Sequence, residues 1–487
     1  MLKSSAAGRG ALPPWIGPKI ASRLALRFDL IGTLPSGARR EAIFGRFFGA
    51  GTSMKLLHVI TGLNVGGAEA MLMRLLHHSS AQDQDVVVAS LMPPGFVGQR
   101  LQDNGVRVHA LGMTSVATAL PATLRLAALV RRERPDVIMA WMHHAQLATM
   151  CATMLARTGA PVIWNVRHSL GGGYVHEKRL TRLVLRTQAL LSRRPQAIIY
   201  NARVAMQQYR AIGFDPTRAM VIPNGFDLDA DGQRAEAQDR LRRIFGIAPD
   251  RIVIAMVARA HPMKDAANLV SAFARLHPAR MPAHLLIVGE GMDRPTPEIA
   301  DALSALPTGY WTLSGQRSDV AQWLGGVDIL ALPSAWGEGF PNIVGEAMAK
   351  AIPCVGTDVG DTGWVIGATG RTVPPRNPTA LALALMELCH LRPEERVMLG
   401  GAARQRISEM FAIDQVVKRY DALFRQVAGR IESDEPGPSP RDAIHHIARL
   451  TKYYDADDPA EAGAMHKRLL RSWRRSKRRV VEALHFN

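Results

Sequence analysis

The sequence predicts an α/β fold with two doubly wound lobes that face a central cleft. Short apolar segments that read as buried strands alternate with helical stretches, which is typical of parallel sheets. A polar, charged stretch at 227–247, interpreted as a linker that ends in a helix, separates two series of strands. The first series is 56–61, 85–90, 106–110, 137–140, 162–166 and 197–200, and the second is 252–257, 284–288, 311–313, 327–332, 353–356 and 370–373. Ligands of such sheets bind beyond the carboxyl ends of the strands, so we expect the cleft to hold one.

Composition describes a folded chain that binds anions. Of 487 residues, 47% are hydrophobic and 21% charged, and the net charge is +18. Basic charge points to nucleotide sugars, phosphorylated lipids or a membrane surface, with nucleic acid as the competing reading. Three distant cysteines favour a reducing compartment over a disulfide framework or a zinc site. No apolar run is long enough for a transmembrane helix, and a secretory signal is not expected.

The two ends of the chain differ from its body. Residues 1–53 are either a poorly ordered basic extension or lie before the true start at Met54, which we favour. Residues 431–487 form a basic tail whose densest part, 467–479, is either solvated, which we favour, or rests on an anionic membrane. The stretch 176–194 carries arginines on one face and leucines on another, which fits a membrane-surface helix or an ordinary surface helix equally well.

The most informative stretch is 330–350, where a buried strand, a short loop and a helix starting near Pro341 follow one another. The free N–H groups of Asn342, Ile343 and Val344 would form an anion site at the helix start. Glu338 and Glu346 lie on either side of it. A phosphate seat between two carboxylates suits a nucleotide-linked sugar, whereas merely solvated acids are the simpler alternative.

The segment E-G-F-P-N-I-V-G-E resembles the E-x7-E motif of retaining GT-B glycosyltransferases of family 4 (glycosyl transferases group 1). The resemblance covers about 54–430. It implies that Glu338, with the N–H groups of Gly339 and Phe340, grips sugar hydroxyls and that Glu346 holds the ribose diol. It also implies a GT-B fold with an acceptor-side lobe at 54–225, a donor lobe at 226–412 and a returning helix at 413–430.

A second motif places two cations on one loop. Arg259 and Lys264 are five residues apart after the first strand of the second series, so both can reach one diphosphate and neutralise the leaving group. The family has G-R-x4-K here, and Ala258 replaces the glycine. The alternative is an ordinary surface pair.

Three further motifs face the predicted cleft. In G-G-A-E after the first strand, the resemblance assigns Gly66 and Gly67 to the donor diphosphate, although an ordinary turn explains them too. His168, at the end of a strand, is the candidate for a sugar hydroxyl or a proton, with His143 and His144 as weaker candidates near the acceptor. The resemblance also suggests, on less evidence, that Gly315, Gln316 and Arg317 contact the nucleotide base and that residues 356–363 close over the sugar.

The V-I-P-N-G-F-D segment at 221–227 reads as a hinge between the lobes. Asp227 and Asp229 also spell D-x-D, but in a linker, so no metal and no other cofactor is expected.

Together these motifs predict a cytoplasmic glycosyltransferase, peripheral on the inner face of the cytoplasmic membrane. It would move a sugar with retention from a nucleoside-diphosphate sugar, with a UDP-sugar as the expected donor, to a glycan or lipid-linked acceptor in surface polysaccharide or lipopolysaccharide synthesis. No carboxylate is evidently placed as a covalent nucleophile, so the family's proposed same-face mechanism is expected. A UDP-sugar epimerase on the same fold is the main alternative. A nucleic-acid-binding protein is the other, although the chain lacks interleaved aromatic and basic residues.

Overall fold

The computed structural model describes residues 53–64, 66–79, 84–171, 179–228, 234–278 and 281–429. The N-terminal extension up to residue 52, Asp229 of the D-x-D segment, the first residues of the predicted helix at 176–194 and the C-terminal tail lie outside these ranges.

The first lobe is a seven-stranded parallel sheet in the order β3-β2-β1-β4-β5-β6-β7. Its strands are β1 (Met54–Ile60), β2 (Gln84–Ser90), β3 (Arg107–Ala110), β4 (Val137–Trp141), β5 (Val162–Val166), β6 (Ala197–Tyr200) and β7 (Ala219–Val221). Its helices are α1 (Gly67–His78), α2 (Gly95–Asp103), α3 (Ala119–Glu133), α4 (His143–Ala156), α5 (Arg179–Leu191) and α6 (Arg203–Ala211).

The second lobe is a six-stranded parallel sheet in the order β10-β9-β8-β11-β12-β13. Its strands are β8 (Ile252–Val257), β9 (Ala283–Val288), β10 (Trp311–Ser314), β11 (Ile329–Leu332), β12 (Cys354–Thr357) and β13 (Arg371–Val373). The helices from here to the chain end are α7 (Arg234–Phe245), α8 (Ala266–Ala274), α9 (Pro297–Ser304), α10 (Val320–Trp323), α11 (Asn342–Ala349), α12 (Thr362–Ile366), α13 (Pro378–His390), α14 (Pro393–Met410) and α15 (Ile413–Val427).

The predicted fold class is confirmed, and each predicted strand forms with its ends shifted by at most two residues. The strand expected at 327–332 starts later because Leu324–Gly326 forms a 3-10 turn whose carbonyl at Leu324 accepts from the Val327 N–H. β7 was missed, because its three residues directly precede the hinge segment and were not separated from it.

Strand order reverses at the first strand of each lobe. β1 pairs with β2 and β4, and β8 pairs with β9 and β11, all in parallel. The crevice beyond such a switch point is where open α/β sheets bind ligands. The loops that follow β1, β8 and β11 carry the glycine, Arg-Lys and E-x7-E motifs, so the topology places all three at the strand ends where a ligand is expected.

The chain crosses between the lobes twice, and the two crossings pair with each other. The Phe226 N–H donates to the Phe411 carbonyl and the Ile413 N–H donates to the Phe226 carbonyl, both at 2.9 Å. After the second crossing, α15 packs its apolar face, including Tyr420 and Phe424, into the core of the first lobe. The last helix therefore belongs to the first lobe.

The Phe226 side chain is buried at this crossing, against α11. A β-carbon built on Gly345, in the middle of α11, would lie 2.1 Å from the Phe226 ring, so only glycine fits at this contact. The Phe340 ring stacks on the Phe226 ring with 6.0 Å between centroids. The position of α11 relative to the hinge is thus fixed by close packing.

We expect Gly345→Ala to lower the free energy of unfolding by about 1–3 kcal/mol, because the added methyl overpacks a buried contact. Gly401→Ala is the matched control, since Gly401 is an exposed glycine of α14 with no atom within 4 Å of an added β-carbon. The control should be neutral or stabilise by about 0.5–1 kcal/mol through helix propensity. Urea unfolding of both variants tests the contact, and equal effects would contradict it.

Among the described residues, three histidines are buried, His58 in β1, His284 in β9 and His143 at the start of α4. Burial lowers the pKa of His58, His143 and His284 to about 4 in each case. His58 Nδ1 accepts from Trp141 Nε1 at 3.1 Å, which requires an unprotonated nitrogen. Each of these rings is therefore neutral in the folded protein at physiological pH.

A histidine whose folded pKa lies below its unfolded value stabilises the fold fully above pH ~6.5, and this stability is lost as the pH falls towards 4. We therefore expect the free energy of unfolding to decrease between these pH values, by up to about 1 kcal/mol per pH unit for each buried histidine. His143→Gln keeps a polar side chain but cannot titrate here, so its stability should depend less steeply on pH. Chemical unfolding measured at several pH values tests this, and an unchanged slope would contradict it.

Candidate functional site

Glu338 and Lys264 meet at the centre of the site. Lys264 Nζ and Ser334 Oγ both donate to Glu338 Oε1, each at 2.5 Å, and Glu338 is only 8% exposed. Lys264 ends a 3-10 turn after β8, and the carbonyl of neighbouring Met263 accepts from the Ala335 N–H at 2.8 Å. This backbone bond ties the loop after β8 to the loop after β11, so two predicted site residues 74 positions apart are in contact.

Arg259 lies on the same loop after β8 and is exposed. The neighbouring N–H groups of Ala258 and Ala260 donate to the carbonyl of Val288, at the end of β9, and to that of Glu290, in the loop after it. Gly289 has φ +157°, and a β-carbon there would lie 1.8 Å from the Ala258 carbonyl oxygen, so this turn needs glycine. Within the described ranges Arg259 makes no ion pair. Its backbone is held while its charge stays available for an anion.

The start of α11 differs in one respect from the prediction. Pro341 is the N-cap, not the first helical residue, and its carbonyl accepts from the N–H of Val344 at 3.1 Å. The prediction of a free N–H at Val344 is therefore wrong, because the first turn closes on it. The N–H groups of Asn342 and Ile343 lie at the start of the first turn, where the helix offers them no acceptor, so they are left for an anion.

A chain of side chains links the start of α11 to the first lobe. Asn224 Nδ2 donates to Asn342 Oδ1, and Arg167 Nη2 donates to Asn224 Oδ1. Gly67 faces the same amide, since a β-carbon on it would lie 3.2 Å from Asn342 Nδ2. The predicted glycine turn and the predicted anion site therefore lie against each other.

Arg167 was missed by the sequence analysis, which chose its neighbour His168. Its guanidinium lies 5.4 Å from the Trp141 ring and its Nη1 donates to the Tyr420 hydroxyl at 3.4 Å. Burial lowers the pKa of Arg167, and its Nε has no partner among the described residues. The signal was present in N-V-R-H-S, where an arginine ends a buried strand at the ligand edge of the sheet.

Glu69, the acid of G-G-A-E, is a second residue that was missed. A β-carbon on Gly66 would lie 2.4 Å from Glu69 Oε2, because the carboxylate folds back over the turn. Burial raises the pKa of Glu69, while the charge of Arg167 acts in the opposite direction.

Glu346 is held by the first lobe. Arg74 of α1 donates through Nη2 to Glu346 Oε1 at 2.9 Å and through Nη1 to the Gly225 carbonyl at 3.2 Å. The Glu346 side chain is still about one third exposed, so the role predicted for it at the ribose stays a prediction.

The histidines after β4 and β5 divide into two kinds. His143 is buried, with Nδ1 bonded to Gln188 and Nε2 to the Tyr209 hydroxyl, both at 2.9 Å. Its suggested acceptor role is wrong for this reason. His168 is exposed and its ring stands edge-on to His143 at 6.1 Å, so its predicted role remains open to test.

The residues predicted to contact the base are less favourably placed. The Arg317 fork donates through Nε and Nη2 to Asp319 at 2.8 and 2.7 Å. A β-carbon on Gly315 would lie 3.2 Å from the carboxylate of Asp293. A base contact by Arg317 would have to break a bidentate ion pair, which weighs against that prediction.

The segment 356–363 makes contact with the other lobe. Asp361 accepts from the N–H groups of Arg203 and Val204 at 2.6 and 3.1 Å, at the start of α6. Gly360, with φ +63°, lies so close to Glu338 that a β-carbon would be 2.3 Å from its carbonyl oxygen. Burial raises the pKa of Asp361, another residue that the sequence analysis did not single out.

Two family models match the chain, one on each lobe. Residues 65–230 match the family described as Glycosyltransferase Family 4, and residues 251–390 match Glycosyl transferases group 1. Together they cover more than half of the chain and include the glycine, Arg-Lys and E-x7-E motifs.

Similar proteins agree with this assignment. A putative glycosyltransferase, EpsF, of Bacillus subtilis is 25% identical over 309 residues, which cover 62% of this chain and 79% of that protein. The Escherichia coli UDP-Gal:alpha-D-GlcNAc-diphosphoundecaprenol alpha-1,3-galactosyltransferase is 28% identical over 156 residues, which cover 30% of this chain and 38% of that protein. The crystal structure of Anabaena HepE in complex with UDP has a TM-score of 0.65 at 20% identity and covers 76% of this chain and 99% of HepE, which shows a shared fold. From these matches on both lobes, the chain belongs to the group 1, family 4 glycosyltransferases and has their GT-B fold.

Proposed function

We propose that this glycosyltransferase moves a sugar with retention from a UDP-sugar to a glycan or lipid-linked acceptor in cell-surface polysaccharide or lipopolysaccharide synthesis. The observation that carries the proposal is the contact of Lys264 with Glu338 beside the start of α11. It puts a cation, a carboxylate and free helix N–H groups within one short stretch of surface, which is what a sugar diphosphate needs.

Each group has a separate task in the proposed mechanism. Glu338 and the N–H groups of Gly339 and Phe340 grip sugar hydroxyls, and Glu346 holds the ribose diol. Arg259, Lys264 and the first turn of α11 stabilise the charge that grows on the departing diphosphate. Because these cations are in place before reaction, we propose that no metal is needed.

Retention is proposed to follow a same-face course. The bond between the anomeric carbon and the donor phosphate breaks while a bond from the acceptor oxygen forms on the same face. The acceptor proton passes to the leaving phosphate oxygen. Glu338 is engaged with Lys264 and Ser334 and is not assigned as a covalent nucleophile.

The comparisons support the substrate classes in this proposal. HepE was crystallised with UDP and with UDP-glucose, and the E. coli relative transfers galactose to a sugar on diphosphoundecaprenol. A lipid-linked acceptor of this kind would bring the enzyme to a membrane surface.

Helix α5 offers a surface suited to such a membrane. Its Leu183 and Leu190 are 60% and 85% exposed, and Arg179 and Arg186 are exposed on the same helix. Met154 of α4 adds a further exposed apolar side chain. Leucines flanked by arginines favour the interface of an anionic bilayer. In the part of the chain that the structure describes, no helix is long and apolar enough to span a membrane.

A donor screen tests the proposal directly. Nucleotide release from UDP-, GDP- and ADP-sugars should be fastest with a UDP-sugar and should continue in EDTA, and the product linkage should keep the donor's anomeric configuration. Conversion of a UDP-sugar into its epimer without any acceptor would instead identify an epimerase.

Arg259→Ala should lower kcat by about 10²–10³-fold, because one preorganised charge on the leaving group is lost. Glu338→Gln should also lower turnover, since its bond with Lys264 weakens and sugar hydroxyls lose an ionised acceptor. Arg243→Ala is the control, because Arg243 is exposed on α7 and bonds only within its own helix among described residues. Wild-type turnover by Glu338→Gln would show that the site is assigned wrongly.

Leu183→Glu should reduce co-sedimentation with anionic vesicles by tenfold or more, because roughly 1.5–3 kcal/mol of leucine burial is lost and a charge is added. Leu383→Glu is the control, since Leu383 is an exposed leucine on α13 in the second lobe. Equal binding of both variants at low salt would argue against α5 as the membrane contact.

A further inference from the structure

A pocket of about 590 Å³ lies in the second lobe beside the loops that carry Lys264 and Glu338. Its walls come from the loop after β8, the first turns of α8, α9 and α13, and Ala335 and Trp336 after β11. Neither the E-x7-E carboxylates nor Arg259 and Lys264 line it. Its volume falls within the range of small-molecule sites.

Asn268 of α8 lines this pocket and has no partner for its side chain. It is 7% exposed, and neither Nδ2 nor Oδ1 has a hydrogen-bond partner among the described residues. Leaving a buried amide unpaired destabilises the fold, so a buried amide normally has a partner. An amide of this kind can donate to one hydroxyl of a ligand and accept from its neighbour.

The other polar groups favour a ligand rich in hydrogen-bond donors. Asp265 and Glu298 both line the pocket, and an ionised carboxylate accepts hydrogen bonds but cannot donate them. Burial raises the pKa of Asp265, and the negative charge of Glu298 raises it further. The backbone N–H of Asn268 and the positive charge of Arg376 act in the opposite direction. Two carboxylates disfavour a phosphate or other anion here.

One wall of the pocket is aromatic. The Trp336 side chain is partly buried, and Arg376 lies over its ring at 5.1 Å from the centroid. This cation restrains the indole, whose flat apolar ring lines the same pocket as Asn268 and Asp265. A pyranose ring has the matching character, with an apolar C–H face and hydroxyls at its edge.

We propose that this pocket binds a neutral hexopyranose unit, separate from the donor site, through Asn268, Asp265 and the Trp336 ring. This assignment rests on the proposed function in one respect, because the sugar is taken to be part of the acceptor glycan. Binding of the sugar itself needs no turnover, so it can be measured even if the donor assignment fails.

The test is saturation-transfer NMR on the full chain with saturating UDP. Methyl α-D-glucopyranoside, methyl α-D-galactopyranoside and methyl N-acetyl-α-D-glucosaminide are the probes. At least one should bind in the millimolar range and not be displaced by UDP. Binding that UDP abolishes, or binding of inorganic phosphate in place of the sugars, would overturn the proposal.

Asn268→Leu should weaken glycoside binding by about tenfold or more while the midpoint of thermal unfolding stays equal or rises, because an unpaired amide is replaced by an apolar group of similar size. Trp336→Ala should weaken the same binding. Thr149→Val in the first lobe is the control, because Thr149 is also buried with an unpaired Oγ1. Unchanged sugar binding by Asn268→Leu, no binding of any probe, or a clear drop in its unfolding midpoint would each overturn the assignment.

Discussion

The site depends on the crossing at Phe226, where the two connections between the lobes bond to each other. The backbone bonds to Phe411 and Ile413 hold the hinge from one side, and contact with Gly345 holds α11 against it from the other. Asn224 is two residues before Phe226, so the position of Phe226 also places the Asn224 amide at the start of α11. The alignment of the proposed donor site therefore follows from close packing at the hinge, since interiors are packed too densely to let α11 slide.

The cations that the structure describes at the cleft differ in whether they are paired with a carboxylate. Lys264 bonds Glu338 and Arg74 bonds Glu346, whereas Arg259 has no ion pair in the described part of the chain. Each paired cation lies next to a group that a nucleotide sugar would engage through hydroxyls. An incoming diphosphate would meet positive charge that is already positioned, so little reorganisation would be needed when the leaving group gains charge.

The sequence was sufficient for features that depend on local pattern. Strand positions followed from apolar runs, and Lys264 and Glu338 were assigned to one site because their motifs follow the strands that became β8 and β11, although their direct contact was not predicted. It was insufficient for contacts between distant segments. Asp361 caps α6 from 158 residues away, and nothing in either segment marks the other as its partner. Arg167 and His168 are adjacent in the sequence, and only the structure shows that Arg167, which was not predicted, bonds Asn224.

The same reasoning explains why the pocket at Asn268 could not be predicted although it adjoins the best-predicted motif. Asn268 lies in a helix whose other residues are mostly apolar, and in such a pattern a polar residue is expected on the solvent-exposed face. Asn268 is instead buried because α9 and α13, from later in the chain, pack against α8. Yet the bond between Ala335 and Met263 joins the wall of this pocket to the loop that ends in Lys264. A sugar held against Trp336 would restrain the backbone two residues from Glu338. Occupancy of the pocket would therefore affect the geometry of the Lys264–Glu338 ion pair through the two loops that carry both.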